Sequence, residues 1–139
     1  FQDVLFLNGA NSPPANNMPV SDGWVHNSSG QLFICNETGV YSISCNISFI
    51  LRSGNNVMVS SRLNKNGTPV PYSQRHALIP RIPHNDVAGL TLDCEIVENI
   101  SAGDIISVHA GSSATSTTIA PGGLGVSRPS STIRILRIA

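Results

Sequence analysis

The sequence predicts an all-β domain, a sandwich or jelly roll, on three observations. Alternating stretches recur along the chain, the longest over 41–51, where Tyr41, Ile43, Cys45, Ile47, Phe49 and Leu51 are apolar and Ser42, Ser44, Asn46 and Ser48 fill places between them. Side chains alternate across a strand, so a period of two marks a long strand with one buried face. Turn signals separate such stretches at short, even intervals, which gives about eight to ten strands. Ser, Thr, Asn, Gly and Pro abound, a balance that favours strands and turns, and no window sustains a helical repeat.

In chain order, Val4–Leu7 reads as a short first strand, and 8–22, with Pro13, Pro14 and Pro19, as a long loop. Trp24 and Val25 begin the next extended piece, and 31–35 forms a short strand bearing Leu32, Phe33 and Ile34. Glu37-Thr38-Gly39 then turns the chain into the long strand. Ser53-Gly54-Asn55-Asn56 signals a tight turn, followed by alternation from Val57 to Leu63. Asn66-Gly67 marks a hairpin, since both residue types tolerate positive φ, and Val70–Tyr72 is expected as a return strand at an edge, given Pro69 and Pro71. Residues 73–88 are the most polar and least regular stretch, expected as a loop. Leu90, Leu92, Cys94 and Ile96 restart the alternation, Ala102-Gly103-Asp104 turns, and Ile105–Ala110 is a strand. The Ser/Thr/Gly-rich segment 111–125 is expected as a loop, and Thr132–Ile138 as a closing strand buried on both faces.

A chain of 139 residues makes one ordinary domain, 1–139, able to bury about two-thirds of its unfolded surface without disulfides or metals. Only 12% of residues are charged and the formal net charge is zero, which points away from nucleic acid and from anionic membranes. No apolar run is long enough to span a bilayer, so no membrane insertion is expected. The chain opens at Phe1 without an initiator Met, as a processed product or an excised piece would. So little charge also suggests that much of the surface meets other protein.

Cys35, Cys45 and Cys94 are odd in number and fit no zinc spacing. They read as buried thiols, or as Cys35 or Cys45 paired with Cys94. Asn27, Asn36, Asn46, Asn66 and Asn99 each begin a glycosylation triplet, matches that arise by chance in so Asn- and Ser-rich a chain.

The order of landmarks carries a resemblance. Asn27, then Gly30-Gln31-Leu32-Phe33, then Thr38-Gly39-Val40-Tyr41 and a long alternating strand resemble the start of the globular head of complement component 1q and its tumour necrosis factor-like relatives. Leu63–Val70, Ala102–Val108 and Ile133–Ala139 look like the bacterial branch of that superfamily, in which similar heads cap collagen-like stalks, with related heads on phage spikes. The resemblance covers 25–139, leaving 1–24 as an N-terminal strand and loop. No Gly-X-Y repeat occurs in these residues, so a stalk is either outside them or missing. The resemblance implies a ten-stranded jelly roll assembled as a tight homotrimer. The trimer or core strands would be those of Tyr41, Ile43, Ile47, Phe49 and Leu51 and of Ile133, Ile135, Leu136 and Ile138, with 41–51 beside the C-terminal strand.

Signals of catalysis are thin. His76, His84, Asp86 and Arg75 fall in one expected loop, but a spacing of eight between the His residues matches no ligand pattern. No Gly-x-Ser-x-Gly elbow, His-Glu-x-x-His helix or phosphate-cradling loop is present. Asp104 reads as a turn cap rather than a catalytic acid. No metal or cofactor is expected, Asn85 with Asp86 being a slender calcium candidate.

The expected function is a non-enzymatic homotrimeric head of a surface fibre or spike, driving trimerisation and attachment to a glycan or protein receptor at a cell, spore or virion surface. Loops 8–22, 73–88 and 111–125 are the expected contact regions, with Arg75, His76, Arg81 and His84 able to receive an anionic or sulfated sugar. The alternatives are a purely structural coat, spike or capsid component and, third, a carbohydrate-active enzyme on a sandwich scaffold.

Overall fold

The computed structural model describes residues 2–3, 23–26, 32–54, 56–80, 82–113, 117–119 and 131–139; the side chains of 2–3, 26, 52–54, 82–88 and 118–119 lie outside the description. The described residues are all strand and turn. They form eleven strand segments: β1 (Gln2–Asp3), β2 (Trp24–His26), β3 (Phe33–Cys35), β4 (Gly39–Gly54), β5 (Val57–Lys65), β6 (Thr68–Pro69), β7 (Arg75–Ile79), β8 (Ile82–Ile100), β9 (Ile105–Ser112), β10 (Thr117–Ile119) and β11 (Ser131–Arg137). Two of these, β1 and β6, are only two residues long, which leaves nine of three or more.

Two antiparallel sheets make a sandwich. One runs β2-β3-β9-β5-β6, with β1 also paired to β9 and β7 to β5; the other has β4 at its centre. Strand β8 pairs with β4 from Gly39↔Ile100 to Gly54↔Ile82, with a register shift between Arg52 and Gly54. On the opposite edge of β4, β11 pairs over Tyr41↔Arg137 to Ile47↔Ser131, and β10 continues over Phe49↔Ile119 to Leu51↔Thr117. The long alternating stretch therefore lies beside the C-terminal strand, as its pattern and the resemblance led one to expect.

The core fills the space between the sheets. Tyr41, Ile43, Cys45, Ile47, Phe49 and Leu51 of β4 meet Val57, Val59 and Leu63 of β5, Ile106 and Val108 of β9, and Phe33, Cys35 and Ile79. Register thus assigns the odd-numbered residues of β4 to the interior and Ser42, Ser44, Asn46 and Ser48 to the outer face. Trp24 packs its ring edge against Tyr41 at 5.2 Å between centroids. A Cβ on Gly39 would lie 2.8 Å from the Ala139 carbonyl oxygen, so glycine lets the C-terminal segment cross there. That segment is fastened by Ile138 N–H donating to Val40 O, by Val40 N–H donating to Ala139 O, and by Arg137, whose Nη1 donates to Glu37 Oε2 at 2.9 Å and Nη2 to Thr38 O. The Gly-x-Tyr landmark has a local cause: Gly39 makes room and the Tyr41 hydroxyl donates to Glu37 O at 2.7 Å.

Several expectations need correction. Residues 73–88 are not a loop but supply β7 and the first part of β8. Arg75 and His76 at the start of β7 are polar and exposed, which hides the alternation, and pairing to β5 and β4 supplies backbone partners that composition does not announce. The return strand at 70–72 is displaced to Thr68–Pro69, because Pro71 and Tyr72 form a turn closed by Ser73 N–H donating to Val70 O at 3.2 Å. Segment 111–125 contains the end of β9 and all of β10. In the single chain β11 is buried on one face only: Ile133 and Ile135 pack on the core, while Leu136 and Ile138 are exposed. The strand expected at 4–7 and the loop 8–22 lie outside the described residues.

The Asn66-Gly67 hairpin and the Ala102-Gly103-Asp104 turn are joined. Asn66 Nδ2 donates to Asp104 Oδ1 and Ser101 N–H to Asp104 Oδ2, both at 2.8 Å, and Ile105 N–H donates to Asn66 Oδ1 at 2.9 Å. The Asn66 bond first, and the Ser101 bond after it, hold the Asp104 carboxyl below the usual carboxylate range. A carboxylate depressed in the folded state adds stability above its unfolded value of about 3.9, and that stability is lost as pH falls through the folded value. Asp104→Asn is therefore expected to lower the Tm at pH 7 and to close the gap with the parent below about pH 4. A gap constant from pH 7 to 2 in thermal melts would dismiss this linkage.

Candidate functional site

The expected basic cluster is not one loop. Arg75 and His76 begin β7, are exposed, and sit opposite Ser61 and Ser60 of β5. His84, Asn85 and Asp86 belong to β8, with side chains outside the description, and Arg81 lies outside the described residues. Arg75 Nη1 donates to Tyr72 O at 2.8 Å and to Gln74 O at 3.0 Å, which ties the guanidinium to the turn preceding β7.

The outer face of the β11-β4-β8 sheet is the more organised surface. Register puts Val97, Ser42 and Leu136 in one row across the three strands, and Glu95, Ser44 and Arg134 in the next. Asp93, Asn46 and Thr132 follow, then Thr91 and Ser48. Val97 is 61% exposed, Leu136 47% and Ile138 53%, and the half-buried Val40 shares their face at the end where Ile138 is fastened. Apolar side chains thus gather at one end of the sheet. Beyond them the polar rows satisfy one another: Ser42 Oγ donates to Glu95 Oε1 at 3.4 Å, the Ser48 and Thr91 hydroxyls lie 3.1 Å apart, and the Asn46 amide, turned nitrogen-first, donates to Asp93 Oδ1 at 2.8 Å. Acidic residues line the β8 side of this face and Arg134 the β11 side.

Of the nine strand residues picked from sequence, Tyr41, Ile43, Ile47, Phe49 and Leu51 go to the core. Ile133 and Ile135 pack against it from the side, and Leu136 and Ile138 point outward. Sequence reasoning missed Val40 and Val97. The doublet Ile96-Val97, which interrupts the alternation just as Ile135-Leu136 does, was the available signal.

The three cysteines are free and buried. Cys45 and Cys94 face each other across β4 and β8, and the Cys94 thiol donates to Ser73 O at 3.0 Å. The hydrogen bond between the two thiols, followed by burial, pushes the Cys45 thiol well above its ordinary value, and burial of all three cysteines keeps reagents from them. Ellman's reagent at pH 8 is expected to label none of the three in the folded protein and all three after unfolding; prompt labelling of Cys45 in native buffer would contradict this. Among the described residues no three His, Cys, Asp or Glu side chains gather as metal ligands, and no helix is long and apolar enough to cross a membrane.

No protein-family model and no curated protein matches this chain.

Proposed function

We propose that the chain is the non-enzymatic, homotrimeric jelly-roll head of a surface fibre or spike, of the complement component 1q and tumour necrosis factor-like kind that its landmarks resemble. It trimerises through the outer face of the β11-β4-β8 sheet and attaches, at a cell, spore or virion surface, to a glycan or receptor. The observation that carries this reading is the patch of Val40, Val97, Leu136 and Ile138 on a sheet whose central strand carries only uncharged outward residues from Ser42 to Ser48. Exposed apolar groups gathered on a strand face mark contact with protein.

Other features support it. Successive strands pass between the two sheets, β3 in one, β4 in the other, β5 and β7 in the first, β8 in the second, β9 in the first and β10 and β11 in the second, an interleaving that supports a jelly-roll reading. Acidic residues on the β8 margin and Arg134 on the β11 margin suit a head-to-tail contact, the type that closes into a ring. The Asp104 carboxylate, expected as a turn cap, is engaged on both oxygens as a turn clamp.

Light scattering on the isolated chain at micromolar concentration tests the assembly, with three times the chain mass expected. A stable monomer would overturn it.

A further inference from the structure

Tyr72 is 92% exposed and has φ 63°. It occupies the third position of the turn Val70-Pro71-Tyr72-Ser73, with proline ahead of it, a place that calls for Gly or Asn because φ is positive. A bulky side chain there strains the backbone. The frame holds it nonetheless. Buried Ser73 receives Leu63 N–H on its Oγ at 3.1 Å and donates to Val70 O at 2.7 Å, and Arg75 grips the Tyr72 carbonyl. The ring returns almost nothing to the fold, being nearly fully exposed and, among the described residues, without a side-chain hydrogen-bond partner. Strain kept at a residue that contributes no packing is characteristic of a contact site.

We propose that the Tyr72 turn, with Arg75 at its base, is a binding site for an acidic saccharide. This rests on the attachment function above and assigns it a place. The ring offers a flat face to the C–H side of a pyranose, and the Arg75 guanidinium, tied by Nη1 to the Tyr72 carbonyl, has its remaining N–H groups to offer a carboxylate or sulfate. The immediate neighbours Gln74, Arg75 and His76 are exposed and polar, which suits a hydrated sugar; a protein interface centres on apolar residues instead.

Calorimetric titration of the intact chain with a heparin-derived tetrasaccharide, and with neutral chitotetraose as comparison, tests the site. The acidic probe is expected to bind and the neutral one to bind at least tenfold more weakly. Tyr72→Gly is expected to weaken binding tenfold or more while raising the Tm, because it relaxes the turn. Tyr72→Phe is expected to retain binding, and Arg75→Gln to lose tenfold or more. Full-strength binding by Tyr72→Gly would overturn this site and leave the attachment function standing. A lower Tm for Tyr72→Gly would make the ring structural and also overturn it. Failure of the parent chain to bind the acidic probe, or equal binding of both probes, would overturn the acidic saccharide itself, while the light-scattering mass reports on assembly independently.

Discussion

Ile47→Ala is expected to destabilise the chain by about 3–4 kcal/mol, whereas Ser48→Ala, one residue along the same strand, is expected to change stability by about 0.5 kcal/mol or less. Ile47 is fully buried at the centre of β4, with β8 on one side, β11 on the other and the second sheet across the core. Neighbours held on so many sides cannot collapse into the space left by the lost atoms, so both transfer and cavity contributions are felt. Ser48 lies on the outer face, where its hydroxyl meets that of Thr91. Urea unfolding at unchanged slope provides the measurement. Equal losses for the two variants would show that the strand's two faces are not divided as its register requires.

Leu136→Asp is expected to turn the proposed trimer into folded monomer. Leu136 shares a row with Ser42 and Val97, and a carboxylate placed there would be carried into an apolar contact without a partner, weakening association by about two orders of magnitude or more. Because Leu136 is half exposed in the single chain, the fold should survive, with an unchanged far-ultraviolet spectrum and a mass reduced to one chain. If the variant keeps three times the chain mass, the patch of Val97 and Leu136 is not the contact.

Much of the sandwich was legible in the sequence because one signal, alternation, was strong where burial was one-sided. The six odd-numbered residues of 41–51 point inward as their pattern demands, and the Asn66-Gly67 hairpin has its positive φ values of 52° and 79°. What stayed hidden was non-local. Strand β7 reads Arg75-His76-Ala77-Leu78-Ile79, with its deeply buried residue at the far end, so polarity masked it until pairing with Val57–Ser61 was known. The Tyr72 turn was hidden because its conformation belongs to glycine and its residue does not. The outer patch is assembled from Val40, Val97, Leu136 and Ile138, residues far apart in sequence, and only register brings them together.

The position of β11 has a consequence for biosynthesis. Its partner β4 is made about 90 residues earlier, yet the edge of β4 that β11 occupies stays open until 131–139 have left the ribosome. During synthesis Tyr41–Ile47 therefore presents unpaired backbone amides and carbonyls beside an apolar face, the combination that recruits foreign strands. Completion of the sheet therefore waits on residues 131–137, long after β4 has been made. Strand-to-strand contacts this distant in sequence also make for slow closure. From Ser42 to Ser48 the outward side chains of β4 are Ser and Asn and offer no charge of their own to repel a wrong partner at that open edge, so truncations within 131–139 should fail by aggregation before they fail by loss of contacts.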